Sequence, residues 1–402
     1  QALFDNIPPE SFRLNGPNSY PNQNGEIETN WVSDVPRFEW QNFVDYPSGI
    51  KSWILYVNDS QFGTYYENDI DFVEQDAAIE DTSKRFEDGT YEWYLVAIDQ
   101  ANNATFSDTA FFGVDLNPPL IVHNNPLTSV DEGSTTPSIN VQVSDGGSGV
   151  SDVYLNYRRS GSNSGFVTVQ LWNDGEITPS SIPGNDIRSE GVEYFIEAFD
   201  QLGNRSEWPY DYNGNDVQSV VARTQDNVTT ASYWTAGIPT GTDTSAYQLF
   251  SIPFKTNKGL NAVTEVLGPP DEFKYRLYSY NNGFEEFTEF NSIDISLGKS
   301  YFFIWDKEQY PDVLQLNFDL GKGESTPTSP PFEIPAAVGE WKFFGNPYNF
   351  PVDWIDVRGQ NDVPIIDGGS VYTWSNFGGW VSPGQSLEPW KGYIYKSAAD
   401  PD

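Results

Sequence analysis

Catalytic chemistry other than that of carboxylates is hard to place in this 402-residue chain. The chain has one histidine, His123, and no cysteine. No Gly-x-Ser-x-Gly motif stands near the histidine, so a Ser-His-Asp catalytic site is not predicted. The usual zinc and other transition-metal sites are nearly excluded for the same lack of ligands. We expect His123 to lie on the surface or at a joint between domains.

Carboxylates are abundant, with 58 Asp and Glu residues. Two acids at a fixed separation are enough for glycoside hydrolysis, but a chain this acidic contains such pairs by chance. None of them stands in a cleft-like aromatic context that recurs along the chain, as an acid of raised pKa would need. We therefore predict no catalytic residues and no enzymatic activity.

Calcium binding is a more reasonable use of these acids, because hard cations prefer oxygen ligands. Short spacings of Asp and Asn occur in residues 68–71, in Asp145 with Asp152, and in residues 211–216. Each stretch also fits a turn in which Asx side chains bond their own backbone. No cofactor is predicted apart from structural Ca²⁺, and the metal ligands stay unknown at this level.

Aromatic residues near the end of the chain are a third group of candidates. Trp374, Phe377, Trp380 and Trp390 could stack on sugar rings, although alternating Trp and Tyr residues usually form the core of strands. Tryptophan also favours contacts between chains. Trp374, Trp380 and Trp390 are accordingly our candidates for contact with a ligand or another subunit.

One short motif suggests a covalent modification. Asp108, Thr109 and Ala110 fit the Asp-Ser/Thr-aliphatic pattern of O-glycosylation in some secreted bacterial proteins. Thr109 is therefore the predicted glycosylation site.

The candidate tryptophans belong to an internal duplication in the last third of the chain. The stretch that begins at Trp341 repeats the one at Tyr247, ninety-four residues earlier. Two further blocks follow each copy in the same order, so that Arg276 to Phe284 matches Tyr372 to Trp380, and Lys299 to Phe303 matches Lys391 to Tyr395. Both copies alternate aromatic and polar residues between Gly, Asn and Pro, which predicts antiparallel strands joined by turns.

A second repeat lies in the first half of the chain. Residues 92–103 align without a gap with residues 193–204, at an offset of 101. Proline pairs at Pro8-Pro9 and Pro118-Pro119 begin the two copies, and such pairs form stiff joints that no helix crosses. We predict two tandem β-sandwiches of about seven strands each.

Two regions of the chain resemble known modules. The sandwich region resembles fibronectin type III and immunoglobulin-like modules of secreted bacterial proteins. The resemblance lies in Ala198 to Asn204, in a variant of it at Ala97 to Asn103, and in the stretch from Asp145 to Arg158. The duplicated region resembles a module near the ends of large surface proteins exported by the type IX route, in Gly345 to Tyr348 and Leu387 to Tyr393. The resemblance implies an extracellular location but no particular activity, since fold does not fix function.

The predicted fold class is therefore all-β, with two tandem Ig/fibronectin-like sandwiches and a duplicated C-terminal β-domain. The predicted boundaries are a lead at 1–8, sandwiches at 9–119 and 120–224, a linker at 225–235 and the duplicated domain at 236–402, with halves at about 245–320 and 332–397. The stretch 321–331, rich in Gly, Ser, Thr and Pro, is predicted to be an exposed connection between the halves.

The net charge and the lack of long apolar runs disfavour two classes of function. The net charge of −37 disfavours nucleic-acid binding, and no apolar run is long enough for membrane insertion. We expect a secreted, cell-surface structural or adhesive protein that self-associates with copies of the same chain, as a subunit of a surface layer or extracellular filament. The alternative is a carbohydrate-binding accessory region of a secreted hydrolase, with a polysaccharide as its partner.

Overall fold

The computed structural model describes residues 5–19, 28–73, 75–210, 217–234, 239–335, 341–357, 371–375 and 378–396. These residues form an all-β protein with one α-helix, α1 (Asn261–Leu267), of about two turns. The remaining helical segments are single 3-10 turns at Glu67–Asp69, Gly184–Asp186, Thr230–Ser232, Thr244–Ala246, Lys307–Gln309 and Trp354–Asp356. None of the helices in these ranges has the length and apolarity of a bilayer-spanning segment.

The first sandwich contains ten described strands, namely β1 (Leu14–Gly16), β2 (Trp31–Val32), β3 (Phe38–Gln41), β4 (Ile50–Val57), β5 (Ser60–Tyr65), β6 (Asp71–Val73), β7 (Asp76–Ile79), β8 (Gly89–Asp99), β9 (Ala104–Phe106) and β10 (Ala110–Val114). One sheet has the order β1-β3-β7-β6, and the other has β2-β10-β8-β4-β5 with β9 beside β8. The alternating apolar side chains of both sheets meet in one core, where Trp40, Trp93 and Phe112 are fully buried.

The second sandwich also contains ten described strands, namely β11 (Leu120–Val122), β12 (Ser129–Asp131), β13 (Gln142–Ser144), β14 (Val150–Arg159), β15 (Val167–Gln170), β16 (Trp172–Asn173), β17 (Glu176–Ile177), β18 (Val192–Asp200), β19 (Arg205–Trp208) and β20 (Gln218–Arg223). Its main sheet runs β15-β14-β18-β20, with β12 and β19 at its sides. The core is mostly aliphatic, with residues such as Leu155 and Ile196 in the same cluster as Tyr194.

The two sandwiches confirm the all-β prediction, but each has more than the seven strands that we expected. The excess consists of strands of two to four residues, such as β2, β16 and β17. These are bounded by turns and carry too few alternating residues to be recognised from the sequence pattern. Within the described residues, neither sandwich contains a helix longer than a single turn.

The third domain is built around two small sheets with the same strand order. Its strands are β21 (Gln248–Ser251), β22 (Lys255–Thr256), β23 (Tyr275–Tyr280), β24 (Phe284–Glu286), β25 (Ser300–Trp305), β26 (Gly323–Glu324), β27 (Trp341–Gly345), β28 (Val352–Asp353), β29 (Val371–Ser375), β30 (Gly379–Val381), β31 (Ser386–Leu387) and β32 (Gly392–Lys396). The first half has the order β21-β25-β23-β24, and the second has β27-β32-β29-β30. In each sheet, the strand that comes first in the chain (β21 or β27) lies next to the strand that comes last (β25 or β32), as a structural duplication requires.

The two halves pack through residues that stand at equivalent positions. A Cβ atom added to Gly345 would lie 2.1 Å from the Cβ of Ser251, its counterpart in the first half. A Cβ atom added to Gly392 would lie 2.7 Å from the Cβ of Ser300, again its counterpart. Contacts between equivalent positions indicate an approximate two-fold relation between the halves. Glycine at these two positions lets the backbones approach closely.

The structure corrects two of our expectations about connections. Val228 and Trp234, from the stretch predicted as a linker, are buried in the core of the third domain. Ser325 and Thr326, from the predicted exposed connection, are only 5% and 4% exposed. Their backbone continues from β26, which pairs with β20 of the second sandwich and with β22. Gly, Ser and Thr are small enough to be buried in a sheet when their polar groups are bonded, so composition alone was misleading.

Candidate functional site

A cleft of about 850 Å³ lies between the two halves of the third domain. We call it the aromatic groove. It is lined by Thr244, Tyr247, Tyr278, Tyr280, Phe284, Phe302, Trp341, Phe343, Tyr372, Trp374, Trp380 and Ile394. Strands of both small sheets contribute side chains to it, because each strand directs alternate residues to the face between the sheets.

The lining follows the duplication. Counterparts in the two halves form the pairs Tyr247 with Trp341, Tyr278 with Trp374, Phe284 with Trp380, and Phe302 with Ile394. The duplication therefore places equivalent side chains, most of them aromatic, on the two walls of one groove. The sequence shows these pairs, but it cannot show that they face each other.

Three rings in the groove, those of Phe302, Trp374 and Trp380, meet edge to face. Trp374 and Trp380 have centroids 5.1 Å apart with planes at 83°. Phe302 contacts both of them, with planes at 89° and 72° respectively. Such contacts stabilise aromatic clusters beyond the burial of area. These three rings consequently cross one another and do not form a flat platform.

Part of the lining remains accessible to a partner. Phe284 is 59% exposed and Trp380 is 40% exposed, whereas Phe302 and Phe343 are buried beneath them. The Nε1 atom of Trp374 is buried and has no hydrogen-bond acceptor. The groove thus has a closed apolar floor and an open aromatic rim.

Charge at the edge of the groove is neutralised within the chain. Arg276 donates to both carboxylate oxygens of Glu286, at 2.6 and 2.7 Å, and its guanidinium lies 5.1 Å from the ring centre of Tyr278. Burial raises the pKa of the Tyr278 hydroxyl well above its ordinary value, so this hydroxyl is uncharged at neutral pH. An apolar partner would therefore meet little opposing charge here, in a chain of net charge −37.

Of the three predicted contact tryptophans, the structure brings Trp374 and Trp380 together and places Trp390 elsewhere. Trp390 is only 7% exposed and belongs to the core of the first half. Its ring lies parallel to that of Tyr233, and its carbonyl oxygen accepts a 2.7 Å hydrogen bond from the Ser251 amide. Trp390 therefore links the two halves within the core and is not accessible to another molecule. Phe377 lies outside the described residues.

The predicted glycosylation site is accessible. Thr109 is exposed in the connection between β9 and β10, next to the buried Ala110. A glycan at Thr109 would extend into solvent without disturbing the sandwich.

Two carboxylate clusters lie outside the groove, one at the entrance to each sandwich. The first consists of Asp5, Asp45 and Asp99, and the second of Asp115, Asp145 and Asp200. Within each cluster, one oxygen atom from each residue lies within 4.8 Å of the others. A hydrogen bond from the Ile7 amide to Oδ1 of Asp5 holds the pKa of this carboxyl below its ordinary value, which favours the carboxylate form.

Only one of the predicted calcium stretches contributes to a described cluster, and it does so with different partners. Asp145 meets Asp115 and Asp200, whereas Asp152 accepts hydrogen bonds from Tyr154 and Gln170. In residues 68–71, Asp69 accepts from the Tyr66 amide and Asp71 forms an ion pair with Arg37. Residues 211–216 lie outside the described part.

His123 is buried, so the surface alternative of our expectation is wrong, and the residue follows the Pro118-Pro119 joint closely. It is 8% exposed, with Nε2 2.9 Å from the Tyr194 hydroxyl and its ring against Trp208. Burial lowers its pKa, so the imidazole stays neutral at neutral pH. The side chain therefore serves as a core group of the second sandwich.

No family model matches the chain, and no curated protein matches it. Several solved structures are similar. The fibronectin(III)-like modules of CbhA from Clostridium thermocellum are 13% identical over 52% of this chain and 92% of that one, with a TM-score of 0.28. A 1.5-MDa bacterial ice-binding adhesin is 14% identical over 49% of this chain and 61% of that one, with a TM-score of 0.27. The FN1-FN3 domains of chicken CNTN1 are 10% identical over 80% of this chain and 96% of that one, with a TM-score of 0.22. These scores are low, so the fold class rests on the sheet topology of the chain itself.

Proposed function

We propose that this protein is a non-catalytic extracellular structural and adhesive protein, which forms a filament or surface layer by binding copies of itself through the aromatic groove. The observation that carries the proposal is the groove itself, in which paired aromatic residues of both halves leave an open, uncharged rim. Large exposed apolar surfaces of this kind mark sites of interaction.

The geometry of the rings favours a protein segment over a sugar as the occupant. A sugar ring stacks on a flat, exposed aromatic face, but Trp374 and Trp380 cross each other at 83°. Crossed rings leave recesses that suit aliphatic or aromatic side chains, as in the hot spots of protein interfaces. A second copy of the chain is therefore the occupant that we propose.

The first sandwich offers a surface of complementary chemistry. Strand β6 lies at the edge of its sheet, where an unpaired backbone is open to strand addition. Its residues Phe72 and Val73 are 43% and 60% exposed. Contact between β6 of one copy and the groove of the next would join different surfaces, and such contacts produce open polymers when the rotation between copies does not close.

The extracellular location forms part of the same proposal. It is supported by the resemblance of the sandwiches to modules of secreted proteins and by the resemblance of Gly345 to Tyr348 and Leu387 to Tyr393 to a module of proteins exported by the type IX route. The exposed position of Thr109 supports glycosylation there.

The test is the concentration dependence of assembly. We expect the wild-type chain to form ordered polymers, visible by electron microscopy and by sedimentation, and Trp380→Ala to shorten or abolish them without changing the circular dichroism spectrum. Phe284→Ala, on the opposite wall, should have the same effect. Phe290→Ala is the matched control, because this aromatic residue is 94% exposed and does not line the groove.

Two results would overturn the proposal. The first is a wild-type chain that stays monomeric at every concentration reached. The second is equal assembly by the Trp380→Ala, Phe284→Ala and Phe290→Ala variants. Binding of a polysaccharide that is lost in the groove variants would instead identify an accessory carbohydrate-binding region.

A further inference from the structure

The two carboxylate clusters are built from the same three parts of their sandwiches. Asp5 and Asp115 each stand three residues before a proline pair, at the joint that enters the sandwich. Asp45 and Asp145 begin a loop with Ser and Gly at its end, just before β4 and β14 respectively. Asp99 and Asp200 are the last residues of β8 and β18. Each fold thus brings together a joint, a loop and a strand end that are distant in sequence.

The clusters concentrate negative charge that has no ion-pair partner in the part of the chain that the structure describes. Asp99 is 0% exposed, Asp115 and Asp200 are 2% exposed, and Asp45 is 5% exposed. None of the ion pairs found within the described ranges involves any of the six residues. Burying several carboxylates side by side is costly unless a positive charge joins them.

A second observation, independent of the acids' spacing, points to a ligand in each place. The Oδ2 atom of Asp5 is buried and has no hydrogen-bond donor. The Oγ atom of Ser148 is likewise buried without a partner, although the amide of the same residue donates to Asp115 at 2.6 Å. Buried oxygen atoms in native structures are nearly always satisfied by a partner, an ordered water or an ion. Among the described residues, a buried oxygen atom without a partner therefore belongs to the first cluster, and another lies on a residue bonded to the second.

We propose that each cluster binds one Ca²⁺ ion. Calcium takes oxygen ligands at about 2.3–2.6 Å, so two oxygens on one ion are at most about 5 Å apart, and the carboxylate oxygens meet this limit. Three carboxylates would supply the charge, and backbone carbonyls or waters would complete the shell. Calcium also tolerates the irregular geometry of loops better than Mg²⁺ does.

The second site would have a structural consequence for the whole chain. Asp115 follows β10, the last strand of the first sandwich, whereas Asp145 and Asp200 belong to the second sandwich. Asn204 already donates to the backbone oxygen of Asp115 at 3.1 Å and to the Asp200 carboxylate at 2.7 Å. An ion shared by these residues would fix the joint at Pro118 and Pro119 and hold the two sandwiches in one orientation. This inference is independent of the aromatic groove.

The experiment is calorimetric titration of the full chain with CaCl₂ after removal of metal with a chelator, followed by thermal unfolding with and without the ion. We expect two sites in the wild-type chain and a saturable rise in unfolding temperature. Asp45→Asn and Asp145→Asn should each remove one site and leave the other. Asp312→Asn is the control, because it makes the same charge change at an exposed residue outside both clusters.

Titration in the presence of NaCl and of MgCl₂ separates site binding from screening of the net charge. Binding that persists in NaCl, prefers Ca²⁺ and loses one site per variant would support the proposal. Absence of binding by the wild-type chain would overturn it. Equal binding by Asp45→Asn, Asp145→Asn and Asp312→Asn, or binding abolished by NaCl, would overturn it as well.

Discussion

At the scale of residues, His123 shows how one polar side chain is incorporated into a core. Its ring lies against Trp208, and its Nε2 atom lies 2.9 Å from the Tyr194 hydroxyl, which also accepts from the Leu127 amide. This group of side chains secures the first residues after the Pro118-Pro119 joint to β18. Because the imidazole is removed from water, its neutral form is favoured and its pKa is lowered.

The lowered pKa predicts a loss of stability in mild acid. The unfolded histidine takes up a proton near its ordinary pKa of 6.5, whereas the folded one does so only at lower pH. Stability should thus be full above that value and fall below it, by at most about 1.4 kcal/mol per pH unit, until the folded group also titrates. Carboxylates titrate mostly below this window. Urea unfolding at about pH 7.5, 6.5 and 5.5 measures the effect.

The matched variant for this prediction is His123→Gln, which keeps a polar group near Tyr194 but does not titrate. Its stability should depend less on pH between the same limits. An identical pH dependence in the wild-type chain and in the variant would show that His123 is not the group responsible.

At the scale of elements, the third domain depends on close contact between two sheets that the duplication produced. Strands β27 and β32 approach β21 and β25 where Gly345 and Gly392 stand opposite Ser251 and Ser300. The Ser251 hydroxyl donates to the Lys391 carbonyl at 2.8 Å across this contact. The same contact sets the distance between the two walls of the aromatic groove.

Substitution of one of these glycines should therefore destabilise the third domain. In Gly345→Ala the new Cβ would overlap that of Ser251 at 2.1 Å and lie 2.9 Å from the Lys299 carbonyl oxygen. Overpacking of this kind costs about 1–3 kcal/mol. Gly379→Ala is the control, because a Cβ atom added there would have no neighbour within 4 Å. Chemical denaturation followed by tryptophan fluorescence should separate the two variants, and equal stability would contradict the packing described here.

At the scale of the whole molecule, the two boundaries between domains are built differently. The first is a joint of two prolines with a cluster of acids beside it. The second is bridged by hydrogen-bonded strands, since β26 of the third domain pairs with β20 of the second sandwich. Ser325 reinforces the bridge, because its buried Oγ accepts a 2.8 Å hydrogen bond from the Ala222 amide.

We consequently expect the second sandwich and the third domain to unfold together, and the first sandwich to unfold separately. Differential scanning calorimetry of the full chain should show two transitions. Ser325→Ala leaves the buried Ala222 amide without an acceptor, which costs about 1–3 kcal/mol, and should lower only the transition of the joined pair. Ser292→Ala, at an exposed serine of the third domain, is the control. Three independent transitions would show that the shared strands do not couple the domains.

Much of the architecture followed from the sequence, because it depends on local patterns. Alternation in Val192 to Phe199 and its counterpart gave the long strands β18 and β8, and the spacing of the two repeats gave the tandem sandwiches and the duplicated domain. Strand formation and turns depend on neighbouring residues, so these features survive without knowledge of the fold.

The tertiary structure alone decided which distant residues meet and which are buried. Trp374 and Trp390 could not be distinguished from the sequence, yet Trp374 lines the groove and Trp390 lies in a core. Asp115 gave no sign of meeting Asp145 and Asp200, because its partners come from a loop and a strand end. The stretch around Ser325 has the composition of a surface loop but is enclosed by strand pairing. Burial and long-range contact are properties of the packed chain, and short sequence patterns do not determine which distant residues meet.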